Sequence, residues 1–301
     1  MGNPESVVGQ QLDYWRRQLD GLPDVLDLPA DRPRPLAASH AGGRRAYRIP
    51  ADIAARVTDL TRRPGVTAFM VLHSAAAAVL ARTTGTSDIA IATPIAGRGQ
   101  RELDPLVGMF VNTLVLRADV RAGITAGELL DQIRRTDIDA FVYADVPFES
   151  VVEAVDPVRS EAFAPLAQVM LTVNQADVAE SRALDAELTA ADVTIAPIDP
   201  GDPSAKLDLL IGVDVGSPTD DWEFEFVYAT DLFDASTMNV LARRFVTVLD
   251  AMTADIDTVI GDIELATPDE HDDLLSRSTG AEVALRGRVV PDAVTAQVAT
   301  T

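Results

Sequence analysis

From Trp222 to Tyr228 the sequence reads WEFEFVY, with aromatic rings at every second position and Glu223 and Glu225 between them. Such alternation belongs to a strand with one buried and one wet face. A chain carrying it must build a sheet that is packed on one side there and open on the other. Arg44 to Ile49, Ile89 to Ala92, Asn112 to Arg117, Ala167 to Val173 and Leu207 to Val215 also read as strands. Ile89 to Ala92 is apolar without alternation, as expected for a strand covered on both faces.

Helical spacing accounts for most of the remainder. Val8, Leu12, Trp15 and Leu19 recur on one face, after which Pro23, Pro29, Pro33 and Pro35 impose an extended crossing segment. Ile53, Val57 and Leu60 mark a second helix, closed by Pro64-Gly65, and Thr67 to about Arg82 a third. Thr125 and Glu128 have the spacing of a capping box for a helix running to near Ala144. Pro147 starts a short helix, with Asp145 as its expected cap and Glu149 in its first turn. Met238, Leu241, Phe245, Val248 and Met252 fit a long amphipathic helix, and Thr267-Pro268-Asp269-Glu270 opens the last one. Regular structure is expected to fade after Ser276. Ala176 to Ser204 is acidic, weakly periodic and broken by Pro197, Pro200 and Pro203, so it reads as an excursion from the sheet. The order is mixed α/β without internal repeats.

At 301 residues and 47% hydrophobic content, the chain can bury the core of one large or two modest domains. Its net charge of −22 opposes broad contact with nucleic-acid phosphates or an anionic membrane, so neither is an expected partner. The absence of cysteine removes disulfides, thiolate nucleophiles and thiolate metal ligands, and is compatible with a cytoplasmic setting. Residues 1–10 lack the basic and apolar regions of an export signal, and no run approaches the roughly 18 apolar residues of a membrane span.

A search for reactive groups returns mostly exclusions. There is no GxSxG elbow, no phosphate loop ending in Lys-Ser or Lys-Thr, and no HExxH pair for zinc. Gly97-Arg98-Gly99 begins like a dinucleotide fingerprint, but the third glycine is missing. The only histidines, His40, His73 and His271, are far apart, and His73 shares a helical face with Phe69, Leu72, Ala76, Val79 and Leu80, as a packed histidine would. Asp269, Glu270, Asp272 and Asp273 read as a solvated helix start; no metal is expected.

The run from Thr93 to Arg117, TPIAGRGQRELDPLVGMFVNTLVLR, sits between two strands as a loop on a sheet. With it the chain carries QLDYWRRQLDGLPDVLDLPADRPRP, VTAFMVLHSAAAAVLARTTGTSDIAIATPIAGR, DVPFESV, PLAQVMLTVNQ and AKLDLLIGVDV with FVYATDLFD. In that order these segments resemble the carboxy-terminal lobe of the condensation domains of nonribosomal peptide synthetases. The tail, VVPDAVTAQVATT, is similar to the opening of an adenylation domain. The organisation this suggests is a condensation lobe over residues 1–276, with an entry helix and crossing segment at 1–42 and a latch-like excursion at 176–204. Residues 277–301 would be a linker and the beginning of an adenylation domain, the whole being a piece of a larger multidomain chain.

What the resemblance implies is an α/β lobe like that of chloramphenicol acetyltransferase, a mixed sheet flanked by helices. The implied reaction is amide formation between an upstream acyl or peptidyl thioester and a downstream aminoacyl thioester. It requires an uncharged amine, a tunnel that brings the thioesters together and donors for the developing oxyanion. In the family the motif His-His-x-x-x-Asp-Gly lies on the amino-terminal lobe; no adjacent histidines occur here. The implied catalytic set within this chain is therefore none, and the isolated piece is expected to be inactive. Implied partners are the missing amino-terminal lobe, upstream and downstream peptidyl carrier domains and an adjacent adenylation domain. No cofactor is expected to bind directly, because phosphopantetheine arrives on the carriers.

Pro94, Gly97, Arg98, Gly108 and Asn112 are the implied tunnel wall, while Asp145, Pro147, Glu149 and Asp208 belong to motifs read as structural. Arg98 could orient a carbonyl or phosphopantetheine through its fork of donors, or simply anchor the loop by an ion pair. Asn112 could line the tunnel or satisfy nearby backbone. Arg16, Arg17, Arg243 and Arg244 are basic positions at which an acidic carrier could dock, and are otherwise solvated helix faces. Tyr143-Ala144, Ala167 and Leu207 depart from residues frequent in the family, each removing bulk or a polar group, which could reshape a substrate channel but reads rather as packing variation. Two other readings stay open: a non-catalytic condensation-like module that recruits another protein, and a free-standing acyltransferase of the same wider fold.

Overall fold

A computed structural model describes residues 6–97, 105–175, 201, 203–280 and 290–300. By packing, the chain divides into Met1–Ile263 and Glu264–Thr301.

Among the described residues of the first unit, six strands form one mixed sheet. They are β1 (Gly42–Ile49), β2 (Asp88–Ile95), β3 (Asn112–Asp119), β4 (Val169–Gln175), β5 (Leu209–Val215) and β6 (Trp222–Ala229), in the order β1-β6-β5-β4-β2-β3. β4 runs parallel to β2 and β5, and the other pairs are antiparallel. The helices are α1 (Val7–Gln18), α2 (Ala51–Leu60), α3 (Ala68–Thr84), α4 (Ala126–Val142), α5 (Phe148–Val155) and α6 (Ala235–Ala254).

The alternating run of β6 settles which face of the sheet is packed. Trp222, Phe224, Phe226 and Tyr228 are buried, whereas Glu223 is exposed and Glu225 half-buried. Phe224 meets Phe245 of α6 with ring centroids 5.4 Å apart. Fully burying a ring of this kind contributes roughly 2–3 kcal/mol. Beneath the layer, α3 packs against α4, α6 and β2. Its Ala75, Ala76, Ala77 and Ala78 have no exposed surface, and small side chains let neighbouring helices approach closely. Thr67 caps α3 by accepting from the Met70 amide, and Gly85, with φ +73, ends it in the left-handed region.

On the opposite face α1 and α5 pack together over the β3 end of the sheet. Arg117 on β3 donates to the Gln18 and Asp20 carbonyls at the end of α1 while pairing with Asp88 on β2. Farther across, the face carries exposed Arg44, Ala46, Asp214 and Glu223. Among the described residues, helices cover the sheet on both sides at β2 and β3, as the unbroken apolar run of β2 requires, and on one side only toward β1 and β6.

Two sequence readings are corrected. β4 and β5 begin two residues later than expected. Leu166 takes a positive φ of 67°, and the Gln168 side chain holds the bend by donating to the Asp24 and Ala164 carbonyls and accepting from the Leu26 amide. In the second unit α7 (Pro268–Ser278) is not the last helix, because α8 (Val290–Val298) follows where regular structure was expected to fade. The proposed excursion at 176–204 lies almost wholly outside the described residues; Ser204 forms an isolated antiparallel bridge with Ala41.

Candidate functional site

Asn112, the first residue of β3, fixes the turn between α4 and α5. Its Nδ2 donates to the carbonyls of Ala144 (3.0 Å) and Val146 (2.8 Å), and its Oδ1 accepts from the Phe148 amide at 2.9 Å. Both of its donor hydrogens and its acceptor are engaged by backbone, so the side chain acts as a brace. The same turn is held from α1. Gln11 Oε1 accepts from the Val146 amide, Gln11 Nε2 donates to Asp145 Oδ2, and Trp15 Nε1 donates to the Tyr143 carbonyl. Asp145 therefore does not cap α5 as the sequence suggested: Pro147 occupies the N-cap without a side-chain bond, and the Asp145 carboxylate turns to α1 instead. Glu149 does stand in the first turn of α5.

Opposite this turn the strand β2 ends at Ile95, two residues before Gly97. Gly97 has a φ of +62°, and a Cβ built there would fall 1.8 Å from the Phe110 carbonyl oxygen. Only glycine meets both conditions. Pro94 pairs with Thr113 across β2 and β3, beyond the point where pairing with β4 stops, since β2 and β4 meet in register only at Ala92 and Met170. A proline is tolerated where the ladder on one side has lapsed.

These elements enclose an open cavity of about 510 Å³ whose lining includes Gly97, Asn112, Asp145, Pro147 and Glu149. Five of the nine residues singled out from the sequence thus share one site. Gly108 stands beside it, a built Cβ lying 3.1 Å from the Phe110 ring. Arg98 lies outside the described residues. Two carboxylates line the cavity, and among the described lining residues there is no basic side chain. Its rim is apolar: Met109 is 88% exposed and Phe141 49%, with Val111 also exposed.

Asp208 belongs to another cluster. It is buried immediately before β5 and receives both guanidinium nitrogens of Arg34, which also donates to the Ala162 carbonyl and lies 5.9 Å from the Phe163 ring centroid. The hydrogen bond to Asp208 raises the Arg34 pKa above its ordinary value. This pair ties the proline-punctuated crossing segment to the edge of a second cavity, about 280 Å³, which includes the adjacent Leu207. Thr113 and Phe148 line that cavity while their neighbours Asn112, Pro147 and Glu149 line the first, so one wall separates the two.

His73 is a packed residue. Neither it nor Asp137 on α4 has exposed surface, and its Nδ1 lies 3.1 Å and 3.2 Å from the two Asp137 oxygens. Among the described residues no group of three His, Cys, Asp or Glu could hold a metal ion, and no helix is long and apolar enough to cross a membrane.

Gln11, Trp15 and Gln168 were not identified from the sequence as site residues. Gln11 and Trp15 act over more than a hundred residues of separation, and only the helical stripe containing Trp15 signalled that its face is buried.

Known proteins agree with this architecture. Residues 5–275 match the family model described as Condensation domain. The chain is 40% identical over 291 residues to the probable non-canonical nonribosomal peptide synthetase CymA of Salinispora arenicola, covering 96% of this chain and 4% of that protein. It is 37% identical over 279 residues to a dimodular nonribosomal peptide synthase of Bacillus subtilis, covering 91% of this chain and 11% of the relative. The complex of the X-domain and OxyB from teicoplanin biosynthesis superposes with a TM-score of 0.77 at 27% identity, covering 89% of this chain and 57% of that one. The chain therefore spans only a small part of the curated relatives it matches. It belongs to the condensation-domain family of nonribosomal peptide synthetases.

Proposed function

We propose that this member of the condensation family forms one wall of an amide-forming tunnel and works with a lobe carrying His-His-x-x-x-Asp-Gly, since its own three histidines are isolated. In the reaction the free amine of a downstream aminoacyl thioester attacks the upstream thioester carbonyl. The carbon–nitrogen bond forms, the carbon–sulfur bond breaks, and the amine's proton leaves with the departing thiol. What this chain contributes is shape and position, because holding two thioesters in line removes much of the entropic barrier. Upstream and downstream carrier domains would bring both substrates on phosphopantetheine, in the cytoplasm, with an adenylation domain adjacent.

The observation that carries this reading is the apolar rim of Met109, Val111 and Phe141 around the cavity braced by Asn112. Exposed apolar side chains grouped at a cavity mark a surface suited to a partner. Arg98, within the same sequence motif, is assigned to this wall. Sedimentation of the chain with a separately produced histidine-bearing lobe tests the surface. Association weakened at least tenfold by Phe141→Glu is expected, whereas association unaffected by that change contradicts the assignment.

A recruitment role without catalysis is the second reading, and it is favoured by the likeness to a domain solved in complex with OxyB. It requires a disrupted histidine motif in the accompanying lobe together with retained protein binding.

A further inference from the structure

The second cavity has a floor built from one cross-strand row of the sheet. Val227 pairs with Leu210, Leu210 with Met170 and Met170 with Ala92, so four apolar side chains from β6, β5, β4 and β2 lie side by side. All four line the cavity. Phe148 of α5 closes it from one direction, and the segments preceding β4 and β5 supply Ala167 and Leu207. These last two meet here although forty positions apart in the sequence. At about 280 Å³ the space exceeds the roughly 150 Å³ cavity that suffices to hold a benzene ring.

Two further observations connect this space to ligand binding. Phe148 is the residue whose amide is held by Asn112, so the brace of the first cavity also sets the roof of the second. Lys206, the only lysine in the sequence, lines the cavity, is exposed, and makes no hydrogen bond or ion pair among the described residues.

We propose that this cavity receives the aromatic or branched aliphatic side chain of a carrier-bound substrate, with Ala167 and Leu207 limiting its size and Asn112 acting as a positioning residue through Phe148. The inference rests on the tunnel-wall reading above and adds the chemical class of the group accommodated. Cationic side chains are disfavoured, because the apolar walls offer no compensation for their desolvation and Lys206 would repel them.

The test uses the 301-residue chain and N-acetylcysteamine thioesters of N-formylated phenylalanine, leucine and arginine, with binding followed by saturation-transfer NMR. The phenylalanine and leucine probes should bind at least tenfold more tightly than the arginine probe. Ala167→Phe should weaken phenylalanine binding at least tenfold without lowering the melting temperature, and Leu207→Phe provides the same test from the opposite wall should the first variant fail to fold. Bound phenylalanine probe should also slow acylation of Lys206 by an N-hydroxysuccinimide ester. Equal binding of the three probes, no binding at millimolar concentration, or binding unchanged within twofold in a folded cavity-filling variant overturns the proposal. Carrier-dependent amide formation that persists while side-chain preference is absent removes the pocket alone; probe selectivity without amide formation removes the tunnel-wall reading alone.

Discussion

Gly97 and Phe110 face each other across the mouth of the first cavity so closely that a single added carbon on Gly97 would stand 1.8 Å from the Phe110 carbonyl oxygen. Because the obstructing atom belongs to the backbone, no side-chain rotation relieves the contact. The left-handed φ adds about 1 kcal/mol for any residue with a Cβ. Gly97→Ala is expected to destabilise the chain by about 2 kcal/mol or more in urea unfolding. A change under about 0.5 kcal/mol would show that the loop is not held in this conformation.

Removal of the Asn112 side chain leaves two carbonyls and one amide without their partners. Asn112→Ala should cost about 2–4 kcal/mol by denaturant unfolding. Asn112→Asp keeps the acceptor for Phe148 but loses both donors and sets a carboxylate beside two carbonyls, so a comparable loss is expected. If Asp proved as stable as Asn, the two carbonyl bonds would carry no weight.

The buried His73–Asp137 pair contributes to folding and not to chemistry in this account. His73→Leu alone strands a buried carboxylate and should cost about 3–5 kcal/mol. Combined with Asp137→Leu, the loss should be smaller than the sum of the single losses, as a double-mutant cycle would show. Amide formation by an assembled domain that still folds should survive His73→Leu; its abolition would place this histidine in the reaction.

Alkaline stability follows from Tyr14. Its ring stacks on Tyr143 with centroids 4.2 Å apart, and its buried hydroxyl has no hydrogen-bond partner among the described residues. Burial pushes its pKa up, with Asp139, Tyr143 and Asp137 adding to the shift. Tyr47 is likewise pushed up by burial, to about 12. A folded pKa above the unfolded one means that the stabilisation is complete below the ordinary tyrosine value near 10 and is lost as pH rises beyond it. Unfolding free energy should therefore fall between about pH 10 and pH 12. Tyr14→Phe should reduce that slope while slightly stabilising the chain at neutral pH, and an unchanged slope would contradict the burial of the hydroxyl.

Local rules made several of these elements readable. Thr125 with Glu128 and Thr267 with Glu270 both form the reciprocal capping boxes that their spacing predicts, and the alternation from Trp222 to Tyr228 correctly separates a buried face from a wet one. The pairing of β1 with β6 was not readable, because it joins segments about 180 residues apart through no local signal. For the same reason Asp145 was assigned to the nearest helix when its partner is Gln11 on α1. Helix α8 was missed although Pro291 stands next to its first residue, a favourable placement, because its nine residues carry only a weak apolar stripe. Gly97, Asn112, Asp145, Pro147 and Glu149 were each singled out from sequence, yet their common cavity depends on the α4–α5 turn folding back onto β3, which only the three-dimensional structure supplies.

The tunnel-wall account is tested most directly by measuring carrier-dependent amide formation, by mass spectrometry of the released product, with this chain alone and with the same chain joined to a lobe bearing an intact His-His-x-x-x-Asp-Gly motif. The account predicts product only from the joined protein, and its loss when the second histidine of that motif is replaced by alanine. Turnover by the chain alone, at a rate comparable to that of the joined protein, would contradict it.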